Sequence, residues 1–260
     1  MKKAFFMAVA SLILRGGATA QINESDTAQF QMRVSLNGNY QKGNVELLTI
    51  RSKLDFLYSL KNNWIFKSQN NSLYQAFYGK KADNDVFSRN YLYFKPHNKF
   101  YPFGIGYISS NFRRKIDWRY FIGVGGTWQV LNAKNQVIKL SLSTVYEQTQ
   151  FKENLYNYAE YNGNNQINAW RGTVYLAGWA YVLEKRCRFY YDAYWQPTFN
   201  NTHNYRTQFD LGFDLPLWKG LSFNALYTFT HENVVIQKIK SDDNIFTFGL
   251  SYYFKINHSN

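Results

Sequence analysis

From Ala28 to Phe254 the chain alternates apolar and polar residues with a period of two, and no stretch holds a convincing period of 3.6. Successive side chains of a strand point to opposite faces, so this pattern dictates an all-β chain. The first segment sets Ala28, Phe30, Met32, Val34 and Leu36 against Gln29, Gln31, Arg33, Ser35 and Asn37. The second sets Leu48, Ile50, Leu54, Phe56, Tyr58 and Leu60 against Thr49, Arg51, Lys53, Asp55 and Ser59. A third, 64 to 74, has less distinct faces, because Ser68, Asn70 and Ser72 share a side with Trp64, Phe66 and Tyr74. Further strands are expected near 87 to 95, 100 to 109, 118 to 131, 136 to 150, 167 to 183, 188 to 197, 205 to 217, 221 to 230 and 244 to 255, which makes twelve.

The connections carry a second pattern. Those after even-numbered strands are short: Lys61 to Asn63, Pro96 to Lys99, Asn132 to Asn135, Glu184 to Cys187 and Trp218 to Gly220. Those after odd-numbered strands are mostly longer, including Lys152 to Asn165 and His231 to Asp243. Short turns at one end and long loops at the other, with an even strand count, fit an outer-membrane barrel with both termini in the periplasm.

Alternation alone leaves open which face meets solvent. A closed ring of twelve strands is wider than the roughly eight whose inward side chains can fill it, so an apolar interior would leave a void. The apolar face is therefore expected to point outwards, into lipid. On it, aromatic residues gather near strand ends (Tyr58, Trp64, Trp118, Trp128, Tyr146, Trp170, Trp195, Tyr205, Tyr252). Leu54, Ile122, Val124, Leu140, Leu142, Val174, Leu176 and Leu211 lie between them. Two aromatic girdles around an aliphatic band are what a barrel in a bilayer shows. A two-sheet periplasmic sandwich is the competing architecture. The mean hydropathy of -0.46 argues against membrane helices but not against strands, whose alternation cancels in any window average.

At the N-terminus, Met1-Lys2-Lys3, the apolar run Ala4 to Leu14 and Ala18-Thr19-Ala20 form the pattern of a cleaved secretory signal, although Arg15 is unusual in it. The expected organisation is a signal peptide, 1 to 20, followed by one barrel domain, 21 to 260. Loss of Lys2, Lys3 and Arg15 takes the formal charge of +13 to +10, which still favours anionic partners. Export makes nucleic acid a poor one. A lone Cys187 cannot form an intramolecular disulfide.

The last strand places Phe246, Phe248, Leu250, Tyr252 and Phe254 on one face. Its Thr247-x-Gly249-x-x-Tyr252-x-Phe254 resembles the sorting signal read by the barrel-insertion machinery, with Lys255 to Asn260 following the final aromatic. Gly43-Asn44 before an alternating strand, and Asp117-Trp118-Arg119-Tyr120 followed by Gly123-x-Gly125-Gly126, resemble a family of unknown function whose members are called salt-induced outer-membrane proteins. The resemblance implies an outer-membrane β-barrel and brings no substrate or catalytic residues.

With apolar side chains outwards, Arg33, Arg51, Lys53, Lys67, Arg89, Arg119, Lys139, Arg171, Arg188 and Arg206 point into the lumen with Asp55, Glu147, Asp192, Asp210 and Asp214. A net basic, water-filled passage favours anions, so the expected function is a passive pore or uptake barrel for small anionic solutes. Arg33, Arg51, Lys53, Arg119, Lys139, Arg171 and Arg206 are its candidate pathway. Alternatively these charges pair across neighbouring strands and plug the lumen, giving a structural envelope barrel. A second basic set, Lys80, Lys81, Arg113, Arg114 and Lys115 with Lys152, Lys238 and Lys240, is expected in outer loops. There it can meet lipopolysaccharide phosphates or simply be solvated. Asp83-Asn84-Asp85 and Ser241-Asp242-Asp243 lack the ligand spacing of a calcium loop, and no metal or cofactor is expected. The four histidines, His97, His203, His231 and His258, show no nucleophile arrangement; a rim hydrolase using His203 or His231 is the least favoured reading.

Overall fold

The computed structural model describes residues 22–257 apart from position 185. The expected signal peptide and His258 lie outside the described residues, as does position 185 within the expected turn Glu184 to Cys187. Twelve strands follow in order: β1 (Phe30–Gln41), β2 (Leu47–Ser59), β3 (Trp64–Phe77), β4 (Lys80–Phe94), β5 (Phe100–Asn111), β6 (Ile116–Ala133), β7 (Gln136–Phe151), β8 (Gln166–Val182), β9 (Cys187–Pro197), β10 (Tyr205–Trp218), β11 (Leu221–Glu232) and β12 (Asp242–Ile256). Each pairs antiparallel with its chain neighbours, and β1 pairs with β12 from Phe30↔Ile256 to Gly38↔Phe248, closing the barrel. Ala28, expected at the start of the first strand, precedes it and is fully buried.

The barrel is built inside out relative to a soluble one. Val124, Leu142 and Leu36 are 70%, 58% and 61% exposed, whereas Arg171 and Glu147 are 4% and 1% exposed. Charged residues occupy the interior because it is the only polar environment available to them, and the outer surface is left to side chains that need no hydrogen bonds. At the short-turn end the outer surface carries Tyr58, Trp64, Phe100, Trp128 and Trp218, with Trp64 packed on Phe94 at 4.8 Å between ring centroids. At the long-loop end it carries Tyr74, Trp170 and Trp195, and the Tyr146–Trp170 rings lie 5.3 Å apart. Aliphatic residues fill the band between. This is a twelve-stranded transmembrane β-barrel, and its place is the bacterial outer membrane, where closed barrels of even strand number reside. No helix among the described residues is long and apolar enough to cross a membrane; the strands cross, and at 11 to 18 residues they meet or exceed the ~9–11 a tilted crossing needs.

Three features depart from expectation. First, β4 begins at Lys80, so the link from β3 is the two-residue turn Tyr78-Gly79, both with positive φ (47° and 71°), and no long outer loop exists there. Lys80 and Lys81 therefore belong to a strand, opposite Phe77 and Ala76, as do Asp83, Asn84 and Asp85. Second, the long connections are ordered lids. Tyr156 and Ile236 form an isolated antiparallel bridge, and the Asn157 amide side chain donates to the Asn233 carbonyl at 2.7 Å. Ile116, Phe151, Tyr156, Val234 and Ile236 form the small apolar core beneath. Third, both faces are mixed in polarity on β3 to β5. Ile65, Leu73, Tyr91, Tyr93, Tyr101 and Phe103 are buried inside, while Ser68, Asn70, Ser72, Ser88, Asn90, Gly104 and Gly106 take the outward positions. The less distinct faces of the third segment are part of this mixing, with Ser68 buried on the outward side.

Candidate functional site

Four charge clusters tie the lumen together. In the upper half, Glu147 of β7 accepts from Arg171 of β8 (Nε to Oε1, 3.0 Å) and from Arg206 of β10 (Nη2 to Oε2, 2.5 Å). Arg119 of β6 donates both terminal nitrogens to Glu232 of β11 at 2.9 Å and its Nε to Thr149 at 3.0 Å. In the lower half, Asp214 of β10 accepts from Arg33 of β1 at 2.6 Å and from its register neighbour Arg188 on β9. At the outer rim, Asp243 receives Arg113 at 2.8 Å and Arg114 at 2.9 Å, and Asp83 lies 3.3 Å from Arg113.

The fourth cluster comes from outside the strands. Residues 22–28 fold back into the lumen at the short-turn end. Glu24 accepts from Lys139 of β7 at 2.9 Å and from Tyr101 of β5 at 2.9 Å, with Lys67 of β3 at 3.3 Å. Asn23 Oδ1 and Ser25 Oγ also take hydrogen bonds from Lys139, and Ser25 Oγ donates to the Pro96 carbonyl in the turn between β4 and β5. Ile22 is buried among Leu57, Ile65, Tyr93 and Tyr101. Burial alone pushes the Glu24 carboxyl up, but the ammonium groups of Lys139 and Lys67 outweigh it and hold the group well below the usual carboxylate range. This charged segment, here called the stopper, thus sits in the short-turn end of the lumen.

Between stopper and rim lies a cavity of ≈ 170 Å³ whose lining runs from Glu24 to Asp83, Arg113 and Asp243. Its middle is lined by Arg51 and Arg89, neither of which makes an ion pair among the described residues. Arg51 donates to Thr228 Oγ1 at 2.8 Å, and its Nε is without a partner. The Arg89 guanidinium sits among aromatic rings, 5.5 Å from the centre of Phe87, 5.8 Å from Tyr107 and 5.9 Å from Tyr194. Rings hold a cation without supplying the hydrogen-bond acceptors a carboxylate would, so its donors stay free for another anion. Lys53 is only loosely matched, 3.7 Å from Asp210.

All seven candidate pathway residues face the lumen, but the structure divides them. Arg33, Arg119, Lys139, Arg171 and Arg206 are engaged by carboxylates, whereas of the two that border the cavity Lys53 lies 3.7 Å from Asp210 and Arg51 has no carboxylate within ion-pair distance among the described residues. Pairing was expected to need adjacent strands, yet Arg33–Asp214, Arg119–Glu232 and Lys53–Asp210 join strands that are not neighbours, because inward side chains meet across the lumen. The basic excess is also smaller than the sequence suggests: Glu24, Asp83, Asp85, Glu232 and Asp243 line the lumenal cavity as well, against Arg113 and Arg114. Of the expected outer-loop cations, Arg114 is buried at the rim, Lys115 is half-buried beside Glu153, and Lys81 lies 4.4 Å above the Phe112 ring. Thr247 and Gly249 point inwards on β12 opposite the outward Tyr252 and Phe254. His231 pairs with Asp242 at 2.7 Å and stacks on Tyr205, and among the described residues no serine hydroxyl bonds to it or to His203. No group of three or more metal-ligating side chains occurs among the described residues. Sequence reasoning missed the stopper because 22–28 has no periodicity, and Glu24 reaches a lysine 115 residues away.

Comparison with solved structures finds barrels. The NanC porin superposes with a TM-score of 0.54 at 12% identity, covering 84% of this chain and 98% of its own. The translocator domain of the autotransporter NalP from Neisseria meningitidis covers 98% of this chain and 95% of its own at 12% identity, with a TM-score of 0.48. At such identities the likeness concerns the fold. No curated protein matches the chain. Residues 34–254 match the family described as protein of unknown function, DUF481, and the chain belongs to that family.

Proposed function

We propose that the barrel is a passive uptake path for small anions, closed at its periplasmic end by residues 22–28. The observation that carries this reading is the pair Arg51 and Arg89, guanidinium groups set in the lumenal cavity with no carboxylate bound to them. A positive group that the protein leaves unneutralised attracts anions from the outer side and disfavours cations. The paired arginines serve a different purpose, holding opposite walls together so that the cavity keeps its shape.

Replacing both free guanidinium groups, Arg51→Gln with Arg89→Gln, is expected to move the reversal potential of the unstoppered barrel under a KCl gradient towards zero. Anion preference that survives this double change would count against the reading. The cross-lumen ion pairs also support a second reading, a rigid envelope barrel that conducts nothing and meets lipopolysaccharide through the exposed Lys80 and Lys81 and the half-buried Lys115 at the rim. On that reading the barrel stays silent even when the stopper is weakened.

A further inference from the structure

On most strands the outer surface at mid-height is aliphatic, as at Leu142, Val174, Leu211 and Leu250. On β3 and β4 the corresponding positions are Ser68, which is buried at 3% exposure, and the half-buried Asn70, Ser88 and Asn90. They sit between aromatic residues at both ends, Trp64 and Phe94 below and Tyr74 above. The two strands present the same Ser-x-Asn pattern running in opposite directions, so Ser68 stands opposite Asn90 and Asn70 opposite Ser88. The amide of Asn70 donates to Ser68 Oγ at 3.0 Å and to the Leu54 carbonyl at 3.1 Å, and that of Asn90 donates to Ser88 Oγ at 3.0 Å. Among the described residues neither carboxamide oxygen accepts a hydrogen bond. Acyl chains offer these groups no partner, so a lipid-covered patch of this kind is costly at this depth.

We infer that this outer face of β3 and β4 is where a second copy of the barrel docks within the membrane. With Ser68 buried, the patch presents the Ser88 hydroxyl and the Asn70 and Asn90 carboxamides, and a carboxamide both donates and accepts. A two-fold axis along the membrane normal through the patch sets β3 against β4 of the copy, so the Ser88 hydroxyl of each barrel faces the free Asn70 carboxamide oxygen of the other, as an isologous contact requires. Polar side chains of this type join membrane segments by hydrogen bonds where no hydrophobic force acts between them. The flanking β5 positions Gly104 and Gly106 are low, and a Cβ added at Gly106 meets nothing within 4 Å, so a neighbouring barrel can approach closely. On the far side of the barrel, Leu211 is 42% exposed in an ordinary aliphatic setting. This surface is independent of the lumen and of the transport reading.

The test is cysteine crosslinking in native membranes, using Ser88→Cys in a Cys187→Ala chain and a short bis-maleimide. A covalent dimer of the chain is expected, while Leu211→Cys stays monomeric. No self-adduct, equal crosslinking at Leu211→Cys, or an adduct with a different protein would each overturn the proposal. Sedimentation equilibrium in detergent supplies the second measurement: Asn70→Leu with Asn90→Leu is expected to raise the dimer dissociation constant at least tenfold, with the compact migration of a folded barrel unchanged. An unaltered constant, or a wild-type barrel monomeric throughout, would also overturn it. Should the double variant not fold, the crosslinking pair decides alone.

Discussion

Arginine has two roles in this barrel, and burial alone does not separate them. Arg171 and Arg206 share the carboxylate of Glu147, which is 1% exposed, while Arg51 meets only a threonine hydroxyl. Removing one partner of a buried ion pair leaves an uncompensated charge, which costs about 3–5 kcal/mol, whereas one lost hydrogen bond costs about 1 kcal/mol. Glu147→Gln is therefore expected to lower the urea midpoint of the refolded barrel far more than Arg51→Gln. Equal shifts would show that the clusters do not brace the wall. The inward direction of both residues follows from the alternation, since Arg51 and Glu147 occupy the polar face of their strands. Which arginine would be neutralised was not legible, because partners such as Arg206 and Glu147 lie 59 residues apart and meet only across the lumen.

At the scale of the element, alternation located strands to within a few residues wherever one face met lipid. It failed at the start of β4. Lys80 to Asp85 carry no apolar face, because that stretch of strand stands at the polar outer rim, and a polar strand reads as a loop. The turn chemistry gave little help, since Tyr78 adopts a positive φ that is uncommon for its residue type. Gly249 shows the reverse case, a residue noticed as part of a sorting pattern that also has a packing role. A Cβ at Gly249 would collide with the Leu36 carbonyl oxygen, at the β1–β12 seam that closes the barrel. Gly249→Ala is expected to force the seam apart and reduce the folded yield in detergent, with more chain running at the unfolded position in semi-native electrophoresis. Wild-type yield would mean that the seam yields without cost.

For the whole molecule, the closed ring, its inside-out polarity and the even strand count were all readable from pattern and parity. The segment inside its passage was not, because residues 22–28 are irregular and are held by long-range contacts of Glu24, Asn23 and Ser25 and by the Asp26–Lys255 ion pair. Glu24 keeps its charge in the folded state below the ordinary carboxylate range, so its hold on Lys139 and Lys67 is full above the unfolded value near 4.5 and is lost as pH falls through the lower folded value. The stopper is thus expected to stay shut at neutral and mildly acid pH and to loosen only in strong acid. Glu24→Gln should remove this protection at every pH. The most direct measurement is the conductance of the chain from residue 21 onwards, as wild type and as Glu24→Gln, in planar bilayers at pH 7 under a KCl gradient. The account predicts a wild type that is closed for most of the record and a variant with frequent, anion-selective steps. A wild type conducting as steadily as the variant, or cation-selective current from either, would contradict it.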